Sequence, residues 1–346
     1  MFSRVKAIPT AVFYTFLFSL FAGFMASLIN MPLAWMLGPL LGTMMLSLAG
    51  FKMVVSKSMR TSSRFMIGVL LGATFSTETL SRLSEWPFSL GILLIGTAGM
   101  TLISTLYLFH IAKFDRVTAL SASIPGALAS VPAVAVQFGA DPKRLIIPHL
   151  IRVTLIVVLV PILYSWWQNT PITSPSGVSG GYDFWGTHLW VITLALPGWY
   201  LAKQLRLPIP ELTGSMLVTA GFALSGYQLT LPDWLYALTF ILLGSAIGVR
   251  FYGMKLLDLL HTGKHALVST GLILSITLAS AGLIYVISDV EFHVILLAVM
   301  PGGIAEMTIL AAVLGVDPVF VAFHQIIRSL LLNLGVPWII QYFGIK

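Results

Sequence analysis

Long apolar runs separated by short polar breaks fill this chain. They fall at about 11–30, 33–50, 61–77, 87–111, 117–139 and 145–167. A polar, Gly/Ser/Pro-rich stretch, Gln168 to Gly186, follows. A second set then falls at about 187–202, 209–227, 234–251, 266–288, 293–316 and 319–343. A helix crossing a bilayer needs about 20 such residues, so the pattern predicts a bundle of membrane helices. Two runs are interrupted, one by Pro125-Gly126-Ala127-Leu128-Ala129-Ser130 and one by Pro301-Gly302-Gly303-Ile304-Ala305-Glu306. Proline removes a backbone donor and glycine weakens a helix, so both runs should break there. Broken backbone in lipid is tolerated only where protein buries it or a watery cavity meets it.

The two breaks are copies. Pro125 and Pro301, Asp141 and Asp317, and Arg152 and Arg328 all share one offset, 301 minus 125, or 176 residues. The same shift matches Pro32 with Pro208, Gly38 with Gly214, Gly50 with Gly226 and Gly68 with Gly244. It also matches Gly72 with Gly248, Phe75 with Phe251, Gly139 with Gly315 and Pro161 with Pro337. Glycines and prolines dominate, which points to a shared backbone path. The predicted organisation is a first membrane repeat at 1–167, an extracytoplasmic linker at 168–186 and a second repeat at 187–346.

Composition strengthens the membrane reading. Of 346 residues, 58% are hydrophobic and 9% charged, and mean hydropathy is +0.96; a soluble domain carries roughly 25% charged residues. Cysteine is absent, which excludes disulfides, thiol catalysis and thiolate metal sites. Arg4 and Lys6 before the run Ala11 to Ile29 resemble a signal peptide, but the run is too long for its apolar core. It reads as an uncleaved first helix.

The net charge of +7 is explained by orientation rather than by nucleic acid. Place the N-terminus inside and let each Pro-Gly segment enter and return on one side. Ten cations of the first repeat then face the cytoplasm: Arg4, Lys6, Lys52, Lys57, Arg60, Arg64, Lys113, Arg116, Lys143 and Arg144. In the second, Lys203, Arg206, Arg250, Lys255, Lys264 and Lys346 do the same, and only Arg82 lies outside. Six crossings per repeat would turn Lys203, Arg206, Arg250, Lys255 and Lys264 outward, against the positive-inside bias. The expected fold is therefore an all-α polytopic membrane protein. It has two inverted repeats of about five transmembrane helices, each with a broken or re-entrant helix, and both termini in the cytoplasm. Paired broken helices in inverted repeats mark secondary transporters, with the site near the midplane.

At these residues the chain resembles the AbrB-type duplicated inner-membrane proteins, a family often labelled "ammonia monooxygenase" or "AbrB family regulator". The resemblance covers essentially the whole chain. It is carried by Pro32-Leu-Ala-Trp-Met-Leu-Gly38-Pro39, Pro125-Gly-Ala-Leu-Ala-Ser130, Gly139-Ala-Asp141 and Arg152. In the second repeat it is carried by Pro301-Gly-Gly-Ile-Ala-Glu-Met307, Gly315-Val-Asp317 and Gln325-Ile-Ile-Arg328. It implies a bacterial cytoplasmic-membrane protein with two copies of one domain and a role in regulating gene expression. Where the family tends to have Gln three residues before the Arg, this chain has His149 in the first repeat and Gln325 in the second.

Candidate binding residues follow from the breaks: Pro125, Gly126, Ala127, Ser130, Pro301, Gly302, Gly303, Glu306, Arg152, Arg328 and Gln325. Helix starts at the Pro-Gly segments offer free N–H groups to an anion, or serve only as packing kinks. Glu306 aligns with Ser130 and is an ion-coupling candidate or an arginine's partner. Arg152 and Arg328 either bind an anionic solute or hold carbonyls freed by the break. His149 and His324 are candidate proton relays or hydrogen-bonded interior histidines. Glu211, after Pro210, reads as a first-turn acid. Asp141-Pro142 and Asp317-Pro318 read as helix starts. His261 and His265 share a helical spacing, but Gly263 between them suggests a basic loop, so no metal is expected. No cofactor is expected either: the histidines are scattered, and P-loop, Rossmann and nucleophile-elbow patterns are missing.

The expected function is a secondary transporter or permease, not an enzyme, for a small polar, anionic solute, coupled to a proton or cation. The alternative is a membrane-embedded regulator of gene expression, acting directly or through a transported metabolite. Its soluble output domain has no room in loops this short, which favours transport. The expected partners are the lipid bilayer and the solute, with no nucleic acid, and a homodimer is compatible with this layout.

Overall fold

In an apolar setting each segment must satisfy its own backbone, and an α-helix does so. The computed structural model describes the backbone at residues 2–77, 86–125, 131–168, 189–207, 209–227, 229 and 231–344. It describes their side chains except at 2–9, 133, 168, 337 and 343–344. Among these residues there is helix and no strand. The first half holds α1 (Phe2–Leu28), α2 (Ala34–Leu48), α3 (Lys57–Gly72), α4 (Trp86–His110), α5 (Arg116–Ser123), α6 (Val131–Gln137) and α7 (Pro142–Gln168). The second holds α8 (Trp190–Gln204), α9 (Pro210–Leu224), α10 (Asp233–Gly248), α11 (Leu256–Ile287), α12 (Phe292–Val299), α13 (Ile304–Val313) and α14 (Pro318–Gly344).

The runs at 117–139 and 293–316 are both split, as their Pro-Gly segments predict. One boundary differs. Residues 256–265 belong to α11 rather than to a basic loop, although Gly263 lies among them. Leu256, Leu257, Leu259 and Leu260 are strong helix formers, and Lys143 pairs with Asp258 in the first turn at 2.9 Å. Together these offset the roughly 1 kcal/mol that one glycine costs. Among the described residues, six helical spans are long and apolar enough to cross a membrane: those beginning at Thr10, Trp86, Pro142, Asp233, Leu256 and Pro318. The helices α2, α8 and α9 have 15 residues and α3 has 16. At 1.5 Å per residue these reach about 22–24 Å, short of the roughly 30 Å hydrocarbon core.

The chain forms two compact units, and each draws on both halves. The first comprises Met1–Thr77, Val158–Met254 and Ala312–Gly315; the second comprises Glu78–Val157, Lys255–Ala311 and Val316–Lys346. In the first unit, α3 crosses α9 where a Cβ on Gly68 or Gly72 would overlap the carbonyl oxygens of Leu212 or Met216. Likewise α10 crosses α2 where a Cβ on Gly244 or Gly248 would overlap those of Met36 or Leu40. Shifting either set by 176 produces the other with the partners exchanged. Gly38 against Ala22 and Gly214 against Gly198 repeat the relation between α2 and α1 and between α9 and α8. Backbone geometry follows the same offset: Asn30 and Arg206, Leu33 and Ile209, Gly50 and Gly226, and Gly139 and Gly315 all have positive φ. Leu33 and Ile209 are apolar residues in the left-handed region, a conformation that costs about 1–2 kcal/mol. Both positions precede α2 and α9, so the duplicated strain belongs to the fold.

The crossings predict the cost of one methyl. Gly244→Ala should destabilise the purified protein by about 1–3 kcal/mol, because the carbonyl of Met36 is backbone and cannot move aside. Gly221, on the open face of α9, has no neighbour within 4 Å. There alanine should be neutral or stabilise by about 0.5–1 kcal/mol. Thermal unfolding of both variants in detergent, against wild type, checks the pair; an equal loss at both sites would contradict the packing role.

Candidate functional site

The second unit contains both breaks. Helix α5 ends at Ile124 (φ −63°, ψ 121°) and α12 ends at Met300 (φ −59°, ψ 132°). Each is the residue before a proline, which is pushed out of the helical region. The last four carbonyls of a helix have no intrahelical donor, and these ends are buried. Long helices α7 and α14 supply the donors. Asp141 and Asp317 cap them as expected: Asp141 accepts from the Lys143 N–H at 2.9 Å and Asp317 from the Val319 N–H at 2.9 Å.

Arg152, 2% exposed, donates to Ser123 O at 3.3 Å and Ile124 O at 3.0 Å. Arg328, 1% exposed, donates to Val299 O at 3.1 Å, Met300 O at 3.0 Å and Gly302 O at 3.4 Å. Ser123 and Val299, like Ile124 and Met300, are related by the repeat. Three residues before each Arg sits a second donor. Gln325 gives its amide N–H to Leu297 O at 3.0 Å, Ala298 O at 3.2 Å and Met300 O at 3.0 Å, and accepts from Arg328 through Oε1. His149 does the same with a ring. Its Nε2 donates to Ser121 O at 3.0 Å and its Nδ1 accepts from Arg152 at 2.7 Å. This fixes the neutral tautomer, since a proton on Nδ1 would displace the arginine. Ser121 and Leu297 are again repeat mates, so imidazole and carboxamide fill one role.

The two readings of the arginines are thus separated by geometry. Their partners are freed carbonyls, at the negative ends of α5 and α12. Arg152 Nε is buried with no hydrogen-bond partner among the described residues. Both guanidinium groups are buried. No ion pair joins either to a carboxylate among the described residues.

Around the second break, Pro301 and Gly302 are buried and Gly303 is partly buried. Glu306 is the third residue of α13 and 9% exposed, and its carboxylate folds back over Gly303, where a Cβ would collide with it. A Cβ on Gly302 would meet the Met307 side chain at 2.7 Å. Glu306 has no salt-bridge partner among the described residues, so pairing with Arg328 is not what places it. Pro125 is buried beside Ile124. Gly126, Ala127 and Ser130 lie outside the described residues.

Two candidates sit apart from the breaks. His324 is fully buried, with Nδ1 at 2.8 Å from Phe320 O and Nε2 at 2.7 Å from Ser89 Oγ, among Trp86 and Phe320. Glu211, in the first unit, pairs with Arg64 at 2.9 Å. His265 contacts Tyr107 and His261 its own helix; no group of three potential metal ligands occurs among the described residues. Sequence reasoning missed Ser89 and the joint action of residues 149 and 152 and of 325 and 328. The signal was the i, i+3 spacing, which places both side chains on one helix face.

The family described as "Transition state regulatory protein AbrB" matches residues 35–344. "Uncharacterized protein YhjN" of Bacillus subtilis (strain 168) is 28% identical over 334 residues, covering 89% of this chain and 87% of that protein. "Putative regulator AbrB" of Escherichia coli (strain K12) is 26% identical over 331 residues, covering 92% of each. The chain belongs to the AbrB family.

The equivalence of ring and amide is testable. His149→Gln and Gln325→His should each keep the fold within about 1 kcal/mol, since one acceptor and one donor remain. Gln325→Leu, which strands a buried guanidinium and carbonyls, should cost about 3–5 kcal/mol. Thermal midpoints and yield of folded protein measure all three; tolerance of Gln325→Leu would refute the anchoring role.

Proposed function

We propose that this AbrB-family protein is a secondary transporter of the cytoplasmic membrane for a small anionic solute, with Glu306 coupling a proton. The observation that carries the reading is the pair of buried guanidinium groups at two broken helices without a carboxylate partner among the described residues. The end of α5 or α12 carries roughly −0.5 charge, so each arginine leaves roughly +0.5 uncompensated. The start of α13 adds roughly +0.5 at the second break. An ionised Glu306 cancels the excess there, and a protonated one restores it. Proton uptake at Glu306 therefore raises attraction for an anion by a full charge, which is the electrostatic requirement for proton–anion symport. Arg152 Nε, which has no hydrogen-bond partner among the described residues, offers one donor to such a solute. Gly302 and Gly303 bring no side chain of their own to the second break.

In this proposal the two halves are inverted repeats of five crossings, and the shorter helices α2, α3, α8 and α9 also cross, aided by flanking loops. Both termini are cytoplasmic. The Escherichia coli relative is named "Putative regulator AbrB"; in this proposal, regulation of gene expression would follow from the transported metabolite.

Two experiments test this. Single cysteines can be placed in this Cys-free chain. Those at Ser176, Asp233 and Asp289 should label from outside, while those at Lys57, Lys203 and Lys264 should be protected; outside labelling at Lys203 would sink the five-crossing layout. For transport, small anions are first screened by thermal stabilisation of the purified protein, where a ligand at 100 times its Kd gives about 2.7 kcal/mol. In vesicles, Glu306→Gln should still bind and exchange the solute but lose uptake driven by a pH gradient. Unchanged gradient-driven uptake in Glu306→Gln would remove Glu306 from the coupling mechanism. If no anion stabilises the protein, the anion reading fails.

A further inference from the structure

A cavity of about 570 Å³ lies within the second unit, between α4, α5 and α14. It is elongated: its lining on α4 runs from Leu94 to His110, about 24 Å of helix. Its walls are apolar for a specific reason. Thr97, Thr101 and Thr105 face it, but their hydroxyls donate to the carbonyls of Leu93, Thr97 and Thr101 at 2.7, 2.8 and 2.6 Å. They present methyl groups. Leu102, Leu106, Leu331 and Ile339 are exposed along it, so the cavity opens on the apolar flank of the unit.

Two cations line it, and they differ. Arg328 is buried and its donors are spent on carbonyls and Gln325. Arg116 is exposed beside Phe109 and His110 at the end of α4, with its guanidinium 5.8 Å from the Phe109 ring. Arg116 has no carboxylate partner among the described residues. The neighbouring acid, Asp115, is spent capping α5 through the Thr118 N–H at 2.8 Å. Lys113, two residues before Asp115, is exposed as well. Nearby Lys143 and Arg144 are paired with Asp258 and Asp141.

An apolar slot with a free cation at one end selects an amphiphilic anion. A small polar solute would find no hydrogen-bond partners along the wall. We propose that the cavity holds an acyl chain of an anionic phospholipid, with the phosphate at Arg116. The proposal rests on the membrane reading but not on transport, and its test requires no transport activity.

The full-length protein is stripped of lipid in detergent. It is then offered equal amounts of phosphatidylglycerol and phosphatidylcholine with identical chains, and retained lipid is read by native mass spectrometry. One phosphatidylglycerol should be retained with about fivefold preference, the contribution of one cation near a phosphate. Arg116→Gln should abolish the preference. Thr101→Phe, which fills the middle of the slot, should abolish retention. Ile95→Phe, on the same helix but outside the lining, should change neither. Equal retention of both lipids by wild type, an undiminished preference in Arg116→Gln, or undiminished retention in Thr101→Phe would each overturn the proposal. So would a dimer cross-linked through Thr101 in place of the lipid.

Discussion

The rest of the second unit depends on guanidinium groups satisfying carbonyls that a helix break sets free. In an apolar medium an unsatisfied backbone group costs several kcal/mol. Pro125 and Pro301 each end a helix inside the protein, so each break would be prohibitive alone. Arginine suits the task because its planar fork carries five donors and stays charged when buried. Arg328 reaches three carbonyls from one position, and Gln325 reaches three more contacts beside it. A lysine would offer a point charge without that spread. The charge is not incidental: it meets the negative end of the preceding half-helix, and the surplus remains in the interior. The same interaction that makes the break affordable therefore brings a buried positive charge to each break.

Much of this was legible in the chain because it is written in backbone chemistry. Pro301-Gly302-Gly303 breaks a helix whatever surrounds it, and a fixed offset of 176 residues between such breaks reveals a duplication without any structure. The capping by Asp141 and Asp317 was legible for the same reason, since Asp-Pro is a local signal. What was not legible depends on tertiary partners. Gly68 and Gly244 could be matched to each other, but not to Leu212 and Met36, the residues they pack against. Nor does a linear repeat disclose that each compact unit takes segments from both halves. The start of α11 was misread because Gly263 was weighted above the leucines and the Lys143–Asp258 pair. The arginines were left between two roles because a target carbonyl carries no sequence signature. The apolar cavity hid for a related reason: threonines look polar until their hydroxyls are seen turned onto their own helix.

The positions where the halves differ are as informative as those where they agree. Agreement is concentrated in glycines, prolines and the two arginines, which set the backbone path and hold it. At the equivalent anchor positions 149 and 325, His and Gln differ in name but share one acceptor and one donor, so the anchoring contact is the same. The contact between α1 and α10 shows a second kind of difference. Ser19 bonds Ser245 at 2.7 Å, and the equivalent positions are Ala195 and Val69, packed in an apolar cluster. A polar pair and an apolar pair solve one packing problem. The third kind cannot be exchanged in this way. Glu306 stands where the first repeat has Ser130, and a carboxylate brings a titratable charge that a hydroxyl lacks. Two arginines with equivalent surroundings would give two equivalent positive sites; one acid at one of the two breaks makes the pair unequal. A device that must respond to a proton on one side of a cycle needs that inequality, whereas a device that only holds helices together does not.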